Sequence, residues 1–262
     1  MTQPPLSFRE TFGWGLLGLS LLLGLWTLLT VTGLVPRQFL PSPVEVGSRF
    51  LTLLTSPFAG ATLPVHLASS FQRYAYGVVL AAAVGIPLGL LMGWFRLLDD
   101  IVTPVFDGLR FIAPIAWVPF AALWFGTGVG GPVMIIFAGA FPPCLINAYR
   151  GARFVEPRLI EAARMLGTGH LRMITEILLP AAVPSIIAGL RVSAGLGWQS
   201  LVGAELIVAA AGVGFMMVQA QGSVQTATVM SGMIAIGIVG MAIDIALRQG
   251  EGWLRRRRGL EG

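Results

Sequence analysis

Apolar residues run in long stretches along this chain, and most charged positions fall in the segments between them. A helix needs about 20 apolar residues to cross a hydrocarbon core of ~30 Å. Six segments reach or approach that length: residues 13–35, 68–94, 101–125, 132–149, 182–208 and 226–247. The third carries Pro104, Pro114 and Pro119, and the fourth the pair Pro142-Pro143. Neighbouring helices can satisfy the carbonyls that proline leaves free, so kinked spans are expected at both places. The run at 13–35 is too long for the apolar core of a signal peptide, and no small-residue cleavage site follows it. It reads as a retained anchor helix.

The connecting segments differ in character. Residues 36–67 include Leu40-Pro41-Ser42-Pro43 and an amphipathic pattern over 44–55, expected to lie near the membrane surface. Residues 209–225 are too apolar for an open loop and are expected to dip back toward the translocation pathway. Within the second span, Gly77, Ala81, Gly85, Gly89 and Gly93 recur every fourth residue. Small residues at that spacing let helix backbones approach closely, which predicts a packing seam. The organisation expected is an N-terminal helix and linker over 1–66, a five-helix core over 67–250 with a large loop at 150–181, and a basic tail over 251–262. The fold class is an all-α polytopic membrane protein with six transmembrane helices.

Composition agrees, with 55% hydrophobic and 11% charged residues, against about 25% charged in an average soluble chain. The net charge of +5 is carried entirely by arginine, since the chain has no lysine. Those arginines gather in a few loops and a tail and do not cover one face, which argues for membrane topology and against nucleic acid. With the N-terminus inside, the inner segments hold Arg9, Arg96, Arg150, Arg153, Arg158, Arg164, Arg172, Arg248 and Arg255 to Arg258. The outer side holds Arg37 and Arg49, with Arg73 near the start of the second span. Both termini are therefore expected on the cytoplasmic side. The single cysteine, Cys144, lies in an apolar stretch and reads as a packing residue.

The loop at 150–181 is the most informative part of the chain. Leu159, Ala163 and Leu166 form one apolar stripe at helical spacing, and Leu171, Ile174 and Leu178 a second. Gly167 suits the left-handed cap that ends the first helix, and Pro180 is expected to stop the second before the fifth span. Two short amphipathic helices with no membrane-length run need a protein surface to cover their stripes. Glu161-Ala162-Ala163, then Gly167, then Ile177, Leu179 and Pro180 reproduce the signature E-A-A, three residues, G, nine residues, I-x-L-P. At these positions the chain resembles the permeases of binding-protein-dependent ABC importers.

That resemblance implies a type I importer architecture and a role for Glu161, Ala162, Ala163, Gly167, Ile177, Leu179 and Pro180 in docking a separate ATPase. It also implies two ATPase subunits carrying ATP and Mg, an external solute-binding protein, and residence in the bacterial cytoplasmic membrane. A second permease copy in a homodimer is expected from the resemblance and from the glycine seam. The likeness runs roughly from Leu40 to Arg256. Leu40-Pro-Ser-Pro43, Trp117-Val-Pro119, Leu123-Trp-Phe-Gly126, Gly189-Leu-Arg191, Ala204-Glu205 and Asp244 look like the nitrate, sulfonate, taurine and bicarbonate branch. A small anion is the cargo this implies; a thiamine precursor or an aromatic acid is the alternative within importers. A secondary carrier driven by an ion gradient is the competing class, and it would show internal repeats without an ATPase-docking loop.

The chain lacks the residues of a motor or an enzyme. ATP hydrolysis in a G-x-x-x-x-G-K-[ST] loop needs a lysine, and there is none. Gly126-Thr-Gly128-Val-Gly-Gly131 fits G-x-G-x-x-G, but it joins two spans and opens no nucleotide-binding strand–helix unit. Neither His66 nor His170 has a metal-ligand neighbour, no G-x-S-x-G is present, and no catalytic residues or cofactors are expected.

Ionisable residues within spans cost ~2.5–3.5 kcal/mol each on insertion scales, so each asks for a partner or a role. Asp107, Arg110, Pro114, Trp117, Ala121 and Trp124 recur at helical spacing and are expected to share a face. Arg191, Gly195, Trp198, Val202 and Glu205, with Gln199 beside them, form a second. These faces are the candidate translocation path, with Arg110 or Arg191 as the contact for an anion. Asp107 is expected to pair with Arg110, Asp244 with Arg248, and Glu205 with Gln199 or with a neighbour's re-entrant loop.

Overall fold

The computed structural model describes residues 8–126 and 128–257. Residues 1–7, Thr127 of the glycine-rich turn, and 258–262 of the expected basic tail, Arg258 included, lie outside the described residues. The described elements run α1 (Phe8–Val31), α2 (Pro43–Thr55), α3 (Leu63–Trp94), α4 (Arg96–Leu109), a 3₁₀ turn (Pro114–Trp117), α5 (Val118–Phe125) and α6 (Gly130–Arg153). They continue with α7 (Pro157–Met165), α8 (His170–Arg172), a π-helical stretch (Met173–Leu178), α9 (Leu179–Val208), α10 (Val213–Gly222) and α11 (Thr226–Arg257). Among the described residues, five helical runs are long and apolar enough to cross a membrane: Phe12–Val31, Leu63–Trp94, Gly130–Arg153, His170–Val208 and Thr226–Trp253.

The third expected span differs from its prediction. Helix α4 and the Pro114–Phe125 arm meet at a bend of 87°, and the pair makes a sixth span when counted as one. Pro114 explains where the chain turns: a residue before proline is pushed out of the helical region. Ala113 accordingly has φ −56° and ψ 139°. Asp107 and Arg110 therefore sit on one arm, and Pro114, Trp117, Ala121 and Trp124 on the other, so the single continuous face expected for them does not exist.

The chain divides into two compact units. The smaller joins the residues up to Leu63 to Met216–Ile234. In it, α2 opens with a capping box: the Glu45 amide donates to Ser42 Oγ (3.2 Å), and the Ser42 amide to Glu45 Oε2 (2.8 Å). Val46 and Leu53 are the buried face of this amphipathic helix. Arg49 reaches across to Thr228 Oγ1 at 2.8 Å and Gln225 Oε1 at 3.1 Å, and Ser231 Oγ donates to Val46 O.

The larger unit comprises Pro64–Phe215 and Ala235–Gly262. Its backbone is the close pairing of α6 with α9, and α3 lies against α6 through the predicted seam. A Cβ added at Gly89 would stand 2.5 Å from Leu145 O, and one at Gly93 2.6 Å from Ala152 Cβ. Only glycine permits this approach. The seam is thus consumed within one chain, against α6, and lends no support to a second copy.

Candidate functional site

The loop after α6 folds into a compact hairpin. Helix α7 ends in a Schellman motif: the Gly167 amide donates to Arg164 O (3.0 Å) and the Thr168 amide to Ala163 O (3.1 Å). Gly167 takes φ +74°, as the expected left-handed cap requires. Val155, Ala163, Met173 and Leu178 form the hairpin's own core, flanked by Trp94, Ile160, Ile174 and Ile177. His170 meets the Trp94 ring edge-on, and the Arg164 guanidinium lies 5.9 Å from its centroid. Of the signature residues, Ala163 is buried and Ile177 half-buried, while Glu161, Ala162, Gly167, Leu179 and Pro180 are exposed.

One expectation about this hairpin is corrected. Pro180 does not stop a helix; the chain runs helically from His170 to Val208. The π stretch accounts for this, because the Leu179 amide donates to Ile174 O, five residues back. That widened turn relieves the clash a proline ring makes with the carbonyl four residues earlier. The apolar stripes are half covered within the chain: Leu166 and Leu171 are 86% and 76% exposed, as is Met165 beside them at 84%.

Among the described residues, cavities lie along the bent pair, along α9, or between them. Arg110 and Trp117 line one of about 310 Å³ with Phe106, Phe137 and Phe141. Arg110 also lines one of about 380 Å³, together with Pro114, Ala138, Gly139, Pro142 and Gln199. Arg191, Trp198, Gln199 and Asp244 line a third of about 200 Å³. Asp107 pairs with Arg110 at 2.9 Å, as expected, but lines none of these cavities. Trp124 is exposed and stacks on Phe120, outside all three.

The two remaining charged candidates are held in ion pairs. Arg191 binds Asp244 at 3.2 Å and Glu251 at 3.6 Å. Asp244 also takes Arg248, as expected, at 2.7 Å. Glu205 is buried, and its partner is Arg73 at 3.0 Å; neither Gln199 nor a neighbour's loop fills that role. Ser70 donates to the same carboxylate at 2.7 Å, and the Gly214 amide at 3.0 Å. Arg73 further donates to Ala211 O, and the Gly212 amide to His66 Nδ1 at 3.3 Å. The apolar 209–215 stretch thus folds back on α3 and α9 of its own chain. Sequence reasoning missed His66, Ser70 and Arg73 as a group. Their spacing of four and three along an otherwise apolar helix was the available signal.

A family profile described as "Binding-protein-dependent transport system inner membrane component" matches residues 85–259. The taurine transport system permease protein TauC of Escherichia coli (strain K12) is 34% identical over 93% of this chain and 88% of its own. The nitrate import permease protein NrtB of Synechocystis sp. (strain ATCC 27184 / PCC 6803 / Kazusa) is 36% identical over 78% of this chain and 76% of its own. In three dimensions the chain is similar to a chain of the inward-facing MetNI methionine ABC transporter. The TM-score is 0.54 at 19% identity, over 71% of this chain and 95% of the other, a likeness that bears on the fold. With its spans, its signature hairpin and these relatives in agreement, the chain belongs to the binding-protein-dependent transport system inner membrane components and is a multi-pass ABC importer permease.

Proposed function

We propose that this permease carries a small oxyanion of the sulfonate or nitrate class inward, driven by a separate ATPase that docks on the Pro157–Pro180 hairpin. The observation that carries the reading is the hairpin's uncovered apolar cap, Met165, Leu166 and Leu171, the last of them on a helical run continuous with α9. Large apolar side chains held on a small, tightly capped knob need a protein socket. The π stretch makes the hairpin's second arm one piece with a spanning helix, so force applied to that arm reaches Trp198 and Gln199 without an intervening loop. ATP and Mg belong to two ATPase subunits in this reading, and an external binding protein delivers the solute. A second copy of the permease completes the path, as the family's architecture implies, and both termini face the cytoplasm.

Arg110 is the anion contact in this reading. It lines two cavities and stands half exposed, whereas Arg191 is engaged by two carboxylates. The test has two arms. Replacing Leu166 with Asp should abolish co-purification of the ATPase while the permease still purifies as a folded protein; retained ATPase would sink the docking role. Arg110→Ala should lower uptake of taurine and nitrate about tenfold or more, the scale of one lost charge-assisted hydrogen bond. Unchanged uptake would remove Arg110 from the path.

A further inference from the structure

Pro142 and Pro143 lie inside α6. In an unbroken helix their nitrogens would donate to the carbonyls of Ala138 and Gly139, and a proline has no N–H to give. All four residues line the 380 Å³ cavity that also holds Arg110 and Gln199. Two nearby side-chain donors, those of Ser200 and Asn147, are committed elsewhere. Ser200 Oγ donates to Leu196 O at 2.8 Å, and Asn147 Nδ2 to Pro143 O at 2.8 Å. Arg110 gives its Nε to Asp107, which leaves its terminal NH₂ groups for another acceptor. The cavity is therefore lined by a cation and by the two residues whose carbonyls lose their helical donors to the prolines. In membrane carriers, carbonyls freed from helices are a recurring means of holding cations near the midplane.

We infer that this cavity is a subsite for a small zwitterion, with its acidic head on Arg110 and a primary ammonium on the carbonyls of Ala138 and Gly139. The inference rests on the oxyanion reading above and narrows it to amino-sulfonates and molecules of like charge pattern. A bare anion such as nitrate engages Arg110 alone. The cavity's volume sits at the small end of the range for ligand sites, which suits a cargo of few heavy atoms.

The test restores the missing donors. In the complete importer, reconstituted with its ATPase and binding protein, uptake of taurine is compared with that of ethanesulfonate and nitrate, which lack the amine. Pro142→Ala/Pro143→Ala returns both N–H groups to the helix and occupies the carbonyls. Taurine uptake should fall about tenfold relative to the two amine-free anions, whose rates should change less than about twofold. Pro143→Ala alone, the milder change, should give a smaller loss in the same direction. Comparing variant with wild type cancels whatever preference the binding protein has. A parallel change for all three solutes, total loss included, or no change for any, overturns the subsite while leaving the oxyanion reading intact. A wild-type importer that moves none of the three overturns the oxyanion reading instead, and the subsite with it.

Discussion

Arg73 and Glu205 lie 132 residues apart in sequence and 3.0 Å apart in space, and both are buried. Taking two such charges from water costs several kcal/mol per ion, which their attraction offsets only when the remaining lone pairs are filled. Ser70 and the Gly214 amide fill those of the carboxylate. Removing one partner should therefore be worse than removing both. Glu205→Ala leaves Arg73 buried without a counter-charge and should lower stability by about 3–5 kcal/mol. Arg73→Met/Glu205→Leu should recover most of that loss. Thermal unfolding of detergent-purified protein measures both; a double variant no better than the single would mean that the ion pair is not what holds the 209–215 stretch. Glu205 was legible in the sequence as a charge that needed a partner. Arg73 was not legible as that partner, because no local rule links positions so far apart.

Among elements, the seam of α3 was readable and the bent pair was not. Small residues every fourth position announce close helix packing whatever the partner helix turns out to be. Gly89 shows how tight it is, with Leu145 O, Ala148 Cβ and Tyr149 N all within 2.9 Å of an added Cβ. Gly89→Val should therefore destabilise by about 1–3 kcal/mol, the usual cost of overpacking. Gly237→Val, on α11 where nothing lies within 4 Å of such a carbon, should be nearly silent. Melting temperatures of the two variants decide it, and equal shifts would mean that α3 and α6 are not packed this closely. The prolines of the third span marked a disturbance, yet the sequence did not reveal its size. A proline restricts the residue before it, but the direction of the second arm depends on distant contacts. Val118 and Ala121 settle among Ile135, Ala204 and Val208, from α6 and α9. Pro180 misled for the same reason: its local meaning is a stop, and a π turn upstream absorbs it.

At the scale of the whole molecule, function depends on which way the chain is threaded. Twelve arginines stand in the segments assigned to the cytoplasm and two, Arg37 and Arg49, in the external loops. At a cost of ~2.5–3.5 kcal/mol for each arginine forced to the bilayer centre, such an imbalance sets a strong preference for one orientation. Single cysteines can test it without removing Cys144, which is the chain's one native cysteine and is buried. A cysteine replacing Ser223, an exposed residue between α10 and α11, should react with a membrane-impermeant maleimide in intact cells. One replacing Arg158, exposed on α7, should react only after the membrane is opened. The reverse pattern would place the hairpin outside, where no nucleotide-driven motor could reach it. The orientation and the ATPase docking would then fail together, while the oxyanion reading of Arg110 would stand or fall on uptake alone.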